Sequence, residues 1–301
     1  MSNLRTPVSM LAALGLLMLG LASTALAQPA GPPRVSPMST VSQVVGLAQV
    51  EITYSRPFVN ERQVFGELEP WGKVWRTGAN EATTFTIDRD AKIEGKALPA
   101  GTYALFTIPQ KEGKWTVIFN KEAQQWGAFQ YKEAEDALRV EVAPQSTHHH
   151  EMFTIAFSDV SSDSATVNLE WKETRVPFTV AFDTEAIAMD KAQEDFETAK
   201  SGATPQTAQA VWQWANYFLQ NEAHEKEALE MATWVAGQRE IYWTVALMAR
   251  LQAANGMSEQ ALESAKKAME LGKQAQEQNA NQFMATDMEK LEGEVGEWQA
   301  D

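Results

Sequence analysis

The spacing of apolar residues changes at Asp183, and this change limits most strongly the folds open to the chain. Before it, short runs of alternating apolar and polar residues occupy 49–54, 83–87, 103–108, 115–119, 138–142, 153–157, 165–171 and 176–182. β-branched and aromatic runs of this length, separated by turn residues, are typical of strands. Because no helical segment interrupts them, we predict an antiparallel β-sandwich or jelly-roll-like domain over residues 41–184.

Residues 185–301 are instead rich in Ala, Glu, Gln, Met and Leu, which are good helix formers. Thr204 and Pro205 form a helix-start signal, and four or five helices are expected. Residues 227–232 match residues 260–265 at an offset of 33, with small Ala residues where helices would cross. This period resembles the tetratricopeptide repeat, so we predict an all-α, tetratricopeptide-like domain. Bulky Trp residues in its first repeat are expected to contact the β-sandwich: Trp212, Trp214 and Trp234.

The first 27 residues have the three parts of a secretory signal peptide: Arg5, an apolar run at 10–22, and an Ala-Leu-Ala site at 25–27. The apolar run is shorter than the roughly 20 residues that cross a bilayer. We predict cleavage after Ala27, then a flexible linker over residues 28–40. The mature chain would be periplasmic or secreted, without a membrane span.

The cysteine content decides whether disulfides can form, and the net charge limits the classes of partner that the chain can bind. The chain has no Cys, so an exported form would contain no disulfides. Its 40 acidic and 25 basic side chains give a net charge of −15. Phosphates and anionic lipids attract basic surfaces, so this balance argues against binding to nucleic acid or to an anionic membrane.

The segment 71–84 combines Trp, Gly, Arg, Asn and Glu without a helical or strand period. Loops of this kind often carry binding groups, and an Arg fork beside an indole face suits a polar ligand. We select eight candidate ligand-binding residues, four in this loop and four in other loops and strands. They are Arg56, Arg62, Trp75, Arg76, Asn80, Glu81, Tyr103 and Trp126.

Three functions remain open for this cluster. The preferred one is non-catalytic binding of a polar ligand, either a glycan or a peptide carboxylate, with the helical tail contacting a protein partner. The second is a cell-envelope hydrolase of polysaccharide or cell-wall material, with Glu81 as acid or base. The third is a scaffold in an envelope assembly, in which Arg76 and Glu81 form a buried ion pair and Trp75 lies in the core.

Other chemistry has little support. His148 and His150 could share one face of a strand, since alternate residues point the same way, but solvated side chains are the simpler interpretation. No phosphate-binding Gly loop and no nucleophile elbow is present in the sequence. We therefore expect neither a metal nor a cofactor.

Several motifs occur together in a fixed order: YSRP at 54–57, VWRTGANEAT at 74–83, LPAGTYALFTIP at 98–109, FNK at 119–121 and QWG at 125–127. On these motifs, residues 34–183 resemble a family of exported bacterial proteins known only as a domain of unknown function. The resemblance implies that a similar helical tail often follows the β domain. It implies no activity, substrate or cofactor.

Overall fold

The computed structural model describes residues 32–299, and the fold below is that of the compact unit that begins at Ser36. The predicted signal peptide and its cleavage site lie outside the described residues. Within those residues, ten strands precede six helices. The strands are β1 (Met38–Val45), β2 (Ala48–Ser55), β3 (Thr83–Ile87), β4 (Ala91–Ile93), β5 (Lys96–Leu98), β6 (Gly101–Ile108), β7 (Trp115–Asn120), β8 (Asp136–Val142), β9 (Gln145–Ser158) and β10 (Ser164–Phe182).

Six strands form one antiparallel sheet in the order β1, β2, β3, β6, β7, β8. Strands β2 and β3 are neighbours in this sheet, although residues 56–82 separate them along the chain. That segment, the crossover, contains most of the predicted site residues. The sheet therefore places both ends of the crossover at adjacent strands.

Four strands form the second antiparallel sheet in the order β5, β4, β10, β9. Two strands predicted at 165–171 and 176–182 are a single strand, β10, whose register with β9 shifts between Glu170 and Thr174. Pro177 lies outside the stretches of β10 paired with β9 and β4, so its missing N–H removes no paired hydrogen bond. The irregular register explains why the sequence pattern was interrupted there.

The core lies between the two sheets. Phe119 of the first sheet lies edge-on to Phe85 at 5.0 Å and to Phe178 of the second sheet at 5.8 Å between ring centroids. All three rings are fully buried. Side chains from both sheets thus share one core, as the prediction of a β-sandwich requires.

The predicted linker is shorter than expected at its C-terminal end. β1 begins at Met38 and pairs with β2 along its whole length, from Met38 opposite Ser55 to Val45 opposite Ala48. The pairing uses backbone groups that every residue supplies, so it did not require a strand pattern in the side chains of residues 38–40.

The helices are α1 (Thr184–Ser201), α2 (Pro205–Gln220), α3 (Glu225–Gln238), α4 (Tyr242–Ala254), α5 (Ser258–Gln278) and α6 (Gln282–Trp298). Each packs on the next, and α2 also contacts α4. The two predicted repeats are α2–α3 and α4–α5, flanked by α1 and α6, which is why six helices occur rather than four or five. None of the described helices is long and apolar enough to span a bilayer.

Four of the matched repeat pairs are buried in both copies: Val211 and Val245, Ala215 and Ala249, Ala228 and Ala261, and Ala232 and Ala265. A fifth predicted pair differs, because Leu251 is buried and its counterpart Tyr217 is only half-buried. As predicted, α2 starts at Pro205, and the Thr204 hydroxyl accepts the backbone N–H of Thr207 as an N-cap. The sequence period therefore reflects equivalent packing of the two helix pairs.

The Trp residues expected to contact the β-sandwich pack instead on the helical core. Trp214 Nε1 donates to Asp195 Oδ2 at 2.8 Å, and Trp234 lies edge-on to Phe196 at 5.7 Å. Both partners belong to α1, a helix that the repeat pattern did not include.

A polar network joins α4 to α6. Tyr242 donates its hydroxyl to Asp287 Oδ2 at 2.7 Å. Arg250 donates to both carboxylate oxygens of Asp287 at 3.1 Å and to Glu294 at 2.7 Å. Burial, then the hydrogen bond to Asp287, raises the pKa of Tyr242 far above its ordinary value, so the phenol remains protonated and donating.

Candidate functional site

Trp75 fixes the middle of the crossover in the core. Its side chain is 3% exposed, stacks on Trp171 with ring centroids 5.6 Å apart, and donates from Nε1 to the Gly78 carbonyl at 3.0 Å. Its backbone exchanges hydrogen bonds with Thr107, beyond the part of β6 that pairs with β3. The structure thus places this predicted site residue inside the sandwich, with its ring faces used in packing.

Two of the predicted arginines bond to the protein itself: Arg56 holds the crossover to β9, and Arg62 braces a turn within the crossover. Arg56 donates from Nε to the Phe153 carbonyl at 2.9 Å and from Nη2 to Thr154 Oγ1 at 2.7 Å, both on β9. Arg62 donates from Nε to the Val59 carbonyl at 2.9 Å within its own loop. These guanidinium groups satisfy acceptors of the protein itself and do not converge on a shared cavity.

Tyr103 is a core residue of β6. It lies opposite Phe85 of β3, and its hydroxyl donates to the Pro99 carbonyl at 2.7 Å. Burial, with a smaller contribution from the charge of Asp90, raises the pKa of the phenol. The structure therefore places Tyr103 in the core of the sandwich, in the same buried cluster as Trp75.

A short ribbon brings three predicted residues together. Ala82 N–H donates to the Gln125 carbonyl at 2.9 Å, and Gly127 N–H donates to the Asn80 carbonyl at 3.0 Å. Glu81 is consequently paired with Trp126 across the ribbon. The ribbon thus places Asn80, Glu81 and Trp126 side by side at the end of the crossover.

The Trp126 side of the ribbon is held in place by an amide. Gln125, which is buried, donates from Nε2 to Asn120 Oδ1 at 3.2 Å and to the Glu122 carbonyl at 2.6 Å. Asn120 is the last residue of β7, so these bonds connect the loop to the sheet. Trp126 is therefore presented on a tethered loop.

The guanidinium group of Arg76 lies beside Gly127 of the same ribbon. A Cβ placed on Gly127 would lie 3.5 Å from Arg76 Nη1 and 2.9 Å from the ring of Phe129. No ion pair joins Arg76 to Glu81 within residues 32–299, and among those residues the buried Arg76 Nε has no hydrogen-bond partner. The ion pair of the scaffold alternative is thus not formed.

Glu69 is a carboxyl of the crossover that the sequence analysis did not select, and its pKa is strongly raised. Its backbone bonds to Val64 and Gly66 fold the crossover into a tight turn. Burial raises the pKa of Glu69 to about 7, and the positive charges of Arg76 and Arg62 oppose that rise. The sequence around Glu69, between Leu68 and Pro70, contains no motif that would predict a raised pKa. The burial that raises the pKa exists only once the chain has folded into this turn.

A cleft of about 380 Å³ lies beside the ribbon. Its lining combines hydroxyl, amide and carboxylate groups with two aromatic side chains, and consists of Met38, Thr53, Tyr54, Ser55, Glu81, Ala82, Thr84, Ala123, Gln124, Gln125 and Trp126. Two of the eight predicted site residues, Glu81 and Trp126, are among them. Thr53 of β2 and Thr84 of β3 lie opposite each other on adjacent strands. The alternation of apolar and polar residues along each strand is the sequence signal that could have placed both side chains on one face of the sheet.

Trp126 is 58% exposed and Phe129, close by on the same loop, is 84% exposed. Two exposed aromatic side chains on one loop form an apolar patch, and such patches commonly contact another molecule. The rim of the cleft therefore carries apolar surface on a fixed support.

His148 and His150 form a separate group on β9, in the four-stranded sheet. The rings of His148 and His150 are 4.1 Å apart, and His150 Nε2 lies 3.5 Å from Glu170, which also pairs with Arg175 at 2.6 Å. Burial lowers the pKa of His150, with Glu170 opposing that effect. Within residues 32–299 no group of three or more His, Asp or Glu side chains is arranged to hold a metal ion.

Comparison with known families adds one finding. The family model described as "Protein of unknown function (DUF2911)" matches residues 36–180. The part of the chain that matches this model, residues 36–180, is termed the DUF2911 domain. This confirms the resemblance read from the ordered motifs. No curated protein and no solved structure has significant similarity to the chain.

All residues that line the 380 Å³ cleft lie in the DUF2911 domain. The helices lie beyond it and have grooves of their own. One of about 520 Å³ lies between α2, α4 and α6, and its lining includes the Arg250 network: Asn216, Leu219, Gln220, Arg250, Ala253, Ala254, Asp287, Lys290, Glu294 and Trp298.

Proposed function

We propose that this protein is an exported, non-catalytic carbohydrate-binding protein and that the cleft of its DUF2911 domain holds the sugar. The observation that carries the proposal is the 58% exposed indole of Trp126 on the wall of a cleft of about 380 Å³. Clefts of roughly 300–1,000 Å³ are the usual size for small organic ligands.

The lining chemistry favours a polyol. An accessible indole offers a broad apolar face to the C–H groups of a sugar ring. Thr53, Thr84 and Gln124 supply hydroxyl and amide groups that exchange hydrogen bonds with sugar hydroxyls. Glu81 adds a carboxylate, which accepts hydrogen bonds from hydroxyls. The described residues that line the cleft include no Arg or Lys to pair with a carboxylate ligand, so of the two ligands suggested by the sequence the glycan is supported over the peptide carboxylate.

Binding is proposed rather than cleavage because of the number of carboxyl groups. Glycoside hydrolases generally use a pair of them on either side of the scissile bond. Glu81 is the one carboxylate among the described residues that line the cleft. The scaffold alternative still accounts for part of the predicted cluster. Arg56 and Trp75 hold the crossover in place, and Arg62 braces a turn within it.

Export and a protein partner remain parts of the proposal. Residues 1–27 carry the three parts of a signal peptide, and mass spectrometry of protein recovered from the cell envelope should find Gln28 at its N-terminus. A mature chain that retains Met1 would contradict export. The groove between α2, α4 and α6 supports a role for the helices in contacting a protein.

The sugar proposal is tested by screening the purified protein on a glycan array and titrating the best ligand calorimetrically. Trp126→Ala should weaken that ligand about tenfold, since aromatic contacts of this kind contribute about 1.4 kcal/mol. Phe283→Ala, which truncates an 86% exposed ring on α6, is the matched control and should bind normally. Equal affinity of wild type and a folded Trp126→Ala, or the absence of any glycan ligand, would refute the proposal.

A further inference from the structure

A second cavity, of about 740 Å³, lies in the helices and outside the DUF2911 domain. It opens between the start of α2, the end of α3 and the start of α4. Its lining residues are Ala203, Thr204, Pro205, Ala208, Gln209, Trp212, Val235, Gln238, Arg239, Ile241, Trp243 and Thr244. The cavity therefore involves three successive helices and the turns that precede α2 and α4.

The walls of this cavity are mainly apolar. Trp212 and Trp243 are both half-buried, and Trp212 Nε1 donates to the Trp243 carbonyl at 3.3 Å, which connects α2 to α4 at the cavity. Val235 and Ile241 add aliphatic surface. Such walls accommodate a hydrocarbon chain or ring, because apolar surface removed from water stabilises the complex.

One positive charge is available at the rim. Arg239 is exposed, and within residues 32–299 its side chain makes no ion pair or hydrogen bond. The neighbouring Glu240 pairs with Lys267 on α5, so its charge is already compensated. The N-terminal ends of α2 and α4, where helix dipoles favour negative charge, face the same cavity.

We infer that this cavity binds a small amphipathic carboxylate, with its apolar body between Trp212 and Trp243 and its carboxylate on Arg239. The guanidinium matches a carboxylate in charge and in hydrogen-bond geometry. Gln209 and Gln238, also on the lining, supply amide groups next to the charged end. This site is independent of the sugar cleft, so either proposal can fail without the other.

Indole N–H resonances of the ¹⁵N-labelled protein test this inference. The probe is 3-phenylpropanoate, and its uncharged partner is 3-phenylpropanamide. The acid should shift the resonances of Trp212 and Trp243, assigned by single Trp→Phe variants, and leave that of the sugar-cleft Trp126 unchanged. It should also bind several times more tightly than the amide. No shift at millimolar acid, or equal affinity for acid and amide, would overturn the inference.

Two variants separate the charge from the cavity. Arg239→Gln should weaken the acid about fivefold, the effect expected of a solvent-exposed ion pair, and leave amide binding unchanged. Arg89→Gln removes the same charge from an exposed position in the β-sandwich and should alter neither. Ala208→Phe, which fills the cavity from α2, should abolish binding of both probes; unchanged binding in a folded Ala208→Phe would locate the ligand elsewhere.

Discussion

Replacing Glu69 with Gln tests the electrostatics of the crossover. Glu69 lies in the tight turn that precedes Trp71, and burial raises its pKa to about 7 despite the nearby Arg76 and Arg62. Gln has nearly the same shape as the protonated carboxyl but cannot ionise. Glu69→Gln therefore removes one titration and leaves the packing almost unchanged.

The sign and size of the effect follow from linkage. In the unfolded chain the Glu69 carboxyl ionises near its ordinary pKa of 4.5, and in the folded protein near 7. Below about pH 4.5 it is protonated in both states, and as the pH rises towards 7 the wild type loses stability because the unfolded state releases the proton first. Raising the pKa from 4.5 to about 7 corresponds to about 3 kcal/mol. The variant should thus match wild type at about pH 4 and exceed its unfolding free energy by about 3 kcal/mol at about pH 8.

Urea denaturation followed by Trp fluorescence from about pH 4 to about pH 8 measures this difference, provided that the m-value is unchanged. Glu67→Gln, two residues away and exposed, is the matched control and should differ from wild type by no more than about 0.5 kcal/mol. If Glu69→Gln proves less stable than wild type at the higher pH, the carboxylate is ionised and held by the arginines, and the reasoning is wrong.

Three further substitutions address the core, a turn and the helices. Trp75→Ala should lower the free energy of unfolding in urea by about 3–5 kcal/mol, whereas truncating the exposed Trp126 should change it by less than about 1 kcal/mol; similar losses would contradict their assigned environments. Gly46→Ala places Cβ against the backbone carbonyl of Ser162 at a φ of +58° and should destabilise the protein more than Gly113→Ala, whose Cβ meets open space at a φ of +83°. Calorimetric melting temperatures in the reverse order would exclude this clash. Tyr242→Phe should destabilise by about 1–2 kcal/mol through loss of its hydrogen bond to α6, with faster hydrogen exchange in α6 as the test and unchanged exchange as the contrary result.

The sequence anticipated those parts of the fold in which local pattern and tertiary packing agree. Strand β3 has the predicted bounds, and the repeat positions in α2 to α5 are buried as their period requires. The strands that were missed, β1, β4 and β5, are polar or only three residues long, so their pairing depends on neighbours rather than on their own pattern.

The candidate site was predicted less completely, because residue type does not reveal direction. Trp75 and Trp126 both occur in irregular segments, yet one stacks inside the core and the other is largely exposed. Arg56 was assigned to a ligand, but its acceptors lie on β9, almost a hundred residues away in sequence. Glu81 and Trp126 were both among the candidate residues, but the ribbon that pairs them could not be read from either segment alone.

The crossover also has a consequence for the order of events in folding. β1–β2, β6–β7 and β9–β10 are hairpins joined by the short connections 46–47, 109–114 and 159–163, and such hairpins close in microseconds. β2 and β3 are joined instead through residues 56–82, and closure of this longer loop slows folding. We expect the β2–β3 pairing, which completes the six-stranded sheet, to form late, together with the docking of Trp75 of the crossover on Trp171 of the second sheet.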